Sequence, residues 1–310
     1  MRLYKPKFWD SKKNILSIIF SPLSFVFWIF LFFKRKVVKK IKFNIPIICV
    51  GNIYVGGTGK TPLTIAIANE LTKKGKKPAI VRKYYKNHKD EYNMILEHYD
   101  HLILNKKRIL AINKAMENKF DAVILDDGFQ DYKIQKDLNI LCFNNNQLIG
   151  NGLIFPSGPL REDISSIKSV NIIIINGDEN KEFERKILHI NNNLKIYYSN
   201  YKPLNIEEFK DKKLLAISGI GNPENFFKIL RENKLDLQKT LIYPDHYQFS
   251  RSEMQKIIDR ANTLNYQIIM TEKDYYKIKD FNFKNIKYLK VELEIPKKEE
   301  IIKNILKIYD

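Results

Sequence analysis

The chain has 310 residues, enough for two ordinary domains with cores of their own. Its 54 Lys and Arg against 35 Asp and Glu give a formal charge of +19, which suits phosphates, nucleic acid or an anionic lipid surface. Lys, Asn and Ile are abundant together, so a compositional bias gives the same excess and the charge is permissive only. Two cysteines, no Cys-x-x-Cys and five scattered histidines argue against a disulfide framework or a structural zinc site. No RNP-type strand or zinc knuckle is present, and nucleic acid is not expected as a partner. Cys49 and Cys142 sit in apolar strand-like runs and read as buried thiols in a reducing compartment.

In chain order, the first feature is Ile15 to Phe33, an uncharged run between Lys12-Lys13 and Lys34-Arg35-Lys36. At ~1.5 Å per residue it just covers a hydrocarbon core of ~30 Å, while Pro22, Ser17, Ser21 and Ser24 weaken it as a spanning helix. No small-residue cleavage site follows. Positive charge on both flanks gives no orientation and suits an anionic interface. Residues 1–40 are therefore expected to form a membrane-associated helical segment, with spanning and lying in the interface both open.

Ile45 to Val50 reads as a buried strand, and it runs into Gly51-Asn52-Ile53-Tyr54-Val55-Gly56-Gly57-Thr58-Gly59-Lys60-Thr61-Pro62. Glycines here let backbone N–H groups curl around phosphate oxygens, with the positive end of the next helix aimed at them. Tyr54, Val55, Gly56, Gly57, Thr58, Gly59, Lys60 and Thr61 are thus the expected nucleotide-binding residues. Lys60 would reach the β- and γ-phosphates and Thr61 would hold Mg²⁺. The pattern is imperfect, since Tyr54 stands where a glycine is usual. Leu63, Ala66, Ile67 and Leu71 recur at helical spacing until Gly75.

Lys77 to Arg82 reads as a second strand and His101 to Leu104 as a third, with the polar stretch from Arg82 to Glu91 expected as a loop or lid at the carboxyl edge of the sheet. Phe120 to Leu125 is an apolar strand ending in Asp126-Asp127-Gly128-Phe129-Gln130, where acids can bind Mg²⁺ directly or through water. Leu138 to Phe143 and Val170 to Ile175 are further buried parallel strands. Between them, Gly150 to Glu162 is a shaped loop whose Arg161 and Glu162 fit either a phosphate and metal or a surface ion pair. Lys186 to Tyr201 reads as short strands turning at Asn191-Asn192-Asn193, a hairpin linker. A new α/β unit begins at Lys213 to Ile217 and continues through a strand at Gln267 to Met270. The expected organisation is a P-loop NTPase-like, mainly parallel α/β domain at 41–185, a hairpin linker at 186–206 and a smaller α/β domain at 207–310.

The ordered set of motifs resembles the tetraacyldisaccharide 4′-kinase family of lipid A biosynthesis over nearly the whole chain. It comprises the apolar basic-flanked N-terminus, the loop at 55–62, Asp126 to Gln130, Gly150-Asn151-Gly152 leading to Pro159-Leu160-Arg161-Glu162, Gly219-Ile220-Gly221-Asn222-Pro223, Asp245-His246-Tyr247 and Thr271-Glu272-Lys273-Asp274. The resemblance implies ATP and Mg²⁺, and phosphorylation of the 4′-hydroxyl of an acylated glucosamine disaccharide 1-phosphate to give lipid IVA. It places the reaction at the cytoplasmic face of the bacterial inner membrane, with no obligate protein partner evident. It also implies that the segment around Asp90 meets the second domain and that Asp90 works with His246, a carboxylate accepting the hydroxyl proton beside an orienting imidazole. The family's Gly-Asp-Glu-Pro stands here as Lys89-Asp90-Glu91-Tyr92, its Arg-Gly-Tyr-Gly as Arg82-Lys83-Tyr84-Tyr85, and Asp131 replaces the histidine usual after Phe-Gln.

On this resemblance Lys60, Asp90 and His246 are the expected catalytic residues, and Thr61, Asp126, Asp127 and Glu162 the metal set. Arg82 and Arg161 are expected to draw in the substrate's phosphate and sugar. The alternative from another class is a membrane-recruited P-loop ATPase switch. Such switches usually carry a lysine just before the paired glycines, where this chain has Val55.

Overall fold

The computed structural model describes residues 5–11, 13–86, 88–245 and 247–309. Its strands are β1 (Ile47–Gly51), β2 (Pro78–Lys83), β3 (Leu102–Asn105), β4 (Ala122–Asp126), β5 (Leu138–Asn144), β6 (Ile172–Asn176), β7 (Lys195–Pro203), β8 (Leu214–Ser218), β9 (Leu237–Ile242), β10 (Gln267–Thr271), β11 (Ile286–Leu289) and β12 (Val291–Glu294). The helices are α1 (Ile15–Ile19), α2 (Ser21–Val37), α3 (Lys60–Lys73), α4 (Lys89–His98), α5 (Arg108–Glu117), α6 (Lys181–Ile190), α7 (Pro223–Glu232), α8 (Arg251–Thr263), α9 (Glu272–Ile278) and α10 (Lys298–Leu306).

Eight strands form one sheet in the order β12-β7-β6-β5-β1-β4-β2-β3, and each pairing from β3 across to β7 is parallel. β1, β4 and β6 are buried at every residue, as Val/Ile/Leu runs covered by helices on both faces must be. β1 lies between β4 and β5: the chain fills the half holding β2, β3 and β4 first, then crosses past β1 to β5. Ligands of such sheets bind at the carboxyl ends of strands beside this switch point. Cys49 and Cys142 are buried and unbridged, and burial pushes their thiols up to about 11 and about 12, too protonated to act as nucleophiles.

The second sheet, β11-β10-β8-β9, is also all parallel. One face packs on Met254, Ile258 and Ala261 of α8, the other on Phe226, Phe227 and Leu230 of α7.

Contacts divide the chain into two compact units that are not consecutive blocks. The larger contains Lys5–Tyr84, Tyr99–Asn200 and the chain from Leu293 onward; the smaller contains Tyr85–His98 and Tyr201–Glu292. The C-terminal segment, expected in the 207–310 domain, returns to the large unit because α10 buries Ile301, Ile302 and Ile305 there and Lys298 pairs with Glu70 of α3 at 2.9 Å.

Two local expectations are corrected. The hairpin expected over 186–206 is a helix followed by a strand: α6 buries Phe183 and Ile187 four residues apart, and β7 runs parallel to β6, not back along a partner. Asn191 ends the helix, its side chain capping Ile167 and Val170 carbonyls at 3.1 Å. The polar stretch 82–91 is only partly a loop, since Lys89 already starts α4. Asp90 and Glu91 in its first turn complement the helix dipole, and Tyr92 and Ile95 form the buried stripe. α4 belongs to the smaller unit, packed against α9.

The N-terminal run breaks at Phe20 into α1 and α2, and no helix among the described residues is long and apolar enough to cross a membrane. Two of the serines that weaken it as a spanning helix, Ser17 and Ser24, face inward. Ser24 is 8% exposed, donates to the Ile154 carbonyl at 2.9 Å and accepts the Ser157 N–H at 2.9 Å. Ser17 accepts from Asn151 at 3.2 Å. The apolar side chains point outward, Ile15, Ile18, Ile19, Leu23, Phe25 and Phe33 among them. This polar-inside arrangement inverts that of an ordinary surface helix.

Candidate active site

β1 delivers the chain at Gly51, where a Cβ would stand 2.6 Å from Cβ of Phe129; only glycine lets the two turns meet. The following loop is braced from within, as Asn52 donates to the Gly56 carbonyl at 3.2 Å and to Thr58 Oγ1 at 3.0 Å, while Gln130 donates to the Asn52 carbonyl at 2.8 Å. Gly59, with φ of +87°, turns the chain into α3, so Lys60 and Thr61 open a helix of 14 residues at its positive end. The loop's glycines and this helix end together form a cradle of backbone N–H groups suited to phosphate.

At the end of β4, Asp126 is fully buried. Thr61 Oγ1 donates to its Oδ2 at 3.1 Å and Thr64 Oγ1 to its Oδ1 at 3.4 Å. Arg82, at the end of β2, pairs with Asp126 and donates to Thr61 Oγ1 at 3.2 Å. A buried carboxylate is tolerated only when hydrogen-bonded and balanced by a cation, and Arg82 supplies that here.

Asp127 lies past the strand end in the left-handed region, φ +55°, which Asp adopts more readily than most residues. Arg161 approaches its carboxylate at 3.2 and 3.3 Å and Lys60 Nζ at 3.7 Å. Arg108 donates to its carbonyl at 2.6 Å. Burial would push this carboxyl up, but Lys60, Arg161, Arg82 and Arg108 outweigh it and hold it far below the usual carboxylate range. Asp127 is therefore ionised at any physiological pH, and the P-loop lysine is oriented by it. Arg108 also faces Asp131 at 3.6 Å.

The Gly150–Glu162 loop is stitched to the P-loop: Val55 N–H donates to the Pro159 carbonyl at 2.8 Å and Arg161 N–H to the Ile53 carbonyl at 2.7 Å. Tyr54, between them, bridges Leu160 through its backbone and buries its ring, so it acts as a wall of the loop where a glycine is usual. The other side of the 150–162 loop carries the N-terminal segment, with Trp9 Nε1 donating to the Pro156 carbonyl at 3.0 Å.

Glu162, expected in the metal set, has a cation beside it. It is fully buried and pairs with Arg35, in the last turn of α2. Among the described residues no three acidic, histidine or cysteine side chains converge to hold a metal. Asp126, Asp127 and Glu162 are instead each matched to their own cations. The Thr61 hydroxyl and Asp126 carboxylate, already in contact, still fit a hard divalent ion. Mg²⁺ keeps most of its shell as water and substrate phosphate, taking only one or two carboxylates from protein.

Of the remaining expected residues, Asp90 is buried in the first turn of α4 within the smaller unit. His246 lies outside the described residues. Beside Asp90, Glu91 Oε1 is 3.1 Å from Lys273 Nζ, which is also 3.1 Å from Asp245 Oδ1. Sequence reasoning missed Thr64, Arg108, Asn52 and Arg35. Thr64 had a signal, standing one turn after Thr61 on α3; Arg108 and Arg35 had none, since only tertiary folding brings them to Asp127 and Glu162.

Known proteins resemble this chain in sequence and fold. The tetraacyldisaccharide-1-P 4′-kinase family profile matches residues 16–309. A tetraacyldisaccharide 4′-kinase of Pelagibacter ubique is 43% identical over 99% of both chains. One of Francisella tularensis subsp. novicida is 34% identical over 93% of this chain and 98% of its own, and one of Haemophilus influenzae 30% identical over 98% and 96%. A crystal structure of LpxK from Aquifex aeolicus in complex with ATP superposes with a TM-score of 0.71 at 22% identity, covering 96% of this chain and all of that one, which establishes the fold. With the full-length sequence match and the shared fold in agreement, the chain belongs to the tetraacyldisaccharide-1-phosphate 4′-kinase family.

Proposed function

We propose that this protein transfers the γ-phosphoryl group of ATP to the 4′-hydroxyl of a tetraacylated glucosamine disaccharide 1-phosphate, forming lipid IVA in lipid A biosynthesis. The observation that carries this reading is the P-loop lysine 3.7 Å from Asp127 beside the Thr61–Asp126 pair, in a chain whose residues 16–309 match the 4′-kinase family. In the reaction the 4′-oxygen forms a bond to the γ-phosphorus, the bond from that phosphorus to the β-phosphate bridging oxygen breaks, and ADP leaves. The hydroxyl proton passes to Asp90, with His246 as its partner. Lys60 neutralises charge on the transferring group, and Arg82 and Arg161, both touching the acidic pair, are the guanidinium groups offered to phosphate oxygens. Thr61 and Asp126 would hold Mg²⁺, with Asp127 close by; bound there, the ion supplies charge neutralisation of the phosphates.

The glycolipid and the anionic membrane surface are met through α1 and α2, at the cytoplasmic face of the inner membrane. The outward apolar face of these helices, flanked by Lys13 and by Lys34, Arg35 and Lys36, supports an interfacial seat. Detergent-solubilised protein incubated with Mg²⁺, γ-labelled ATP and the acylated disaccharide 1-phosphate should put label in the lipid fraction. Lys60→Ala should lower this turnover by at least ~10²-fold, the scale for losing one transition-state charge contact. Full turnover in Lys60→Ala, or ATP consumption with no labelled lipid, contradicts the assignment; the latter points to the ATPase switch.

A further inference from the structure

We propose that Lys273 is a positioning residue for the acceptor-side base, its ammonium fixing the first turn of α4, which carries Asp90, against the segment that carries Asp245. The proposal deepens, and rests on, the reading of Asp90 as proton acceptor. Lys273 stands in the first turn of α9 with its side chain 17% exposed, its Nζ bridging Glu91 and Asp245 at 3.1 Å each. Burial alone would lower the proton affinity of this ammonium; Asp245, Glu91 and Asp90 outweigh burial and hold it above its ordinary value, so the charge persists at any working pH.

The frame from which Lys273 projects is rigid. Thr271 caps α9 at the Asp274 N–H. The fully buried Asp274 accepts from Gly219 N–H at 2.8 Å, from the Thr271 hydroxyl at 2.7 Å and from Lys277 at 2.6 Å, tying α9 to the end of β8. α4 is then clamped by two successive residues of α9. Glu272 lies 2.9 Å from His98 in its last turn, and Lys273 reaches Glu91 in its first. Without the ammonium, Asp245 and Glu91, the latter also 3.0 Å from His88 Nδ1, would lose the cation they share and repel, and the turn bearing Asp90 would move. A displacement of about 1 Å at a reacting group costs roughly 10²-fold in rate.

The test compares kcat, KM for ATP and thermal unfolding for Lys273→Met and Glu91→Gln, each alone and in an Asp90→Asn background. Lys273→Met should lower kcat by roughly 10²-fold with KM for ATP within about twofold, and Glu91→Gln by roughly tenfold. Lys273→Arg should restore part of the loss, since it keeps the charge with a different donor geometry. In Asp90→Asn protein both substitutions should cost less than about threefold, because the group they position is gone. If either costs as much there as in the parent, Lys273 is only structural and the proposal fails. Glu91→Gln carries the comparison should Lys273→Met not fold. If Asp90→Asn alone retains parental kcat, the underlying reading of Asp90 is overturned, and that result is distinct from the first.

Discussion

Replacing Phe25, Phe30 and Phe33 of α2 together by Ser should detach the protein from membranes while leaving its fold intact. The three rings are 60%, 58% and 59% exposed. Fully burying a Phe is worth about 1.5 to 3 kcal/mol, so the exposed portion of each offers a bilayer roughly 1 to 2 kcal/mol, and three together about 4. At 1.4 kcal/mol per tenfold, partitioning should fall about 10³-fold. Since these surfaces face outward, folding stability should change by less than about 0.5 kcal/mol per site. Flotation with vesicles containing an anionic phospholipid measures the first quantity, and a urea titration followed by circular dichroism measures the second. A loss of partitioning below tenfold would refute the interfacial seat. A large fall in urea midpoint would show that the rings are packed in the protein and that α2 has been misread.

Three further outcomes follow from buried charge. Arg35→Met should cost about 3 kcal/mol of stability by stranding fully buried Glu162, and Glu162→Gln in the same chain should restore most of it, read by denaturant titration. Arg82→Met should cost a similar amount through Asp126, with Asp126→Asn as the restoring change. His98 is held above its ordinary value of 6.5 chiefly by its hydrogen bond to Glu272. Its contribution is therefore complete below pH 6.5 and is lost as pH rises through the higher folded-state value. With the His98 side chain 41% exposed, the pair is worth only about 0.5 kcal/mol, and His98→Gln should flatten the pH dependence of hydrogen exchange in α4.

What the sequence made legible was what local chemistry decides. β1, β4 and β6 announce themselves as unbroken apolar runs because parallel strands are covered on both faces, and the glycine turn before Lys60 needs no tertiary information. Asp126 could be placed because an acid at a strand end lies at the binding edge of any such sheet. The ion pair of Glu162 was not legible, for the opposite reason. Its neighbour Arg161 does reach Asp127, but Glu162 turns toward Arg35, a residue far away in the chain and invisible to spacing. The second half of α6 reads as strand because the segment from Lys186 holds Ile187, Leu188 and Ile190 close together, and the helical period shows only with Phe183 four residues before Ile187. α4 was hidden in a polar run. Its stability comes from docking on α9, and the Glu272 and Lys273 clamps lie in a motif that showed no role by itself.

The most direct test of the central claim is the position of the new phosphate. Product formed from ATP and the acylated disaccharide 1-phosphate should show, by phosphorus and proton NMR, the original 1-phosphate unchanged and a new monoester coupled to the proton on C4′. A pyrophosphate at C1, or a phosphate on any other hydroxyl, would contradict the account.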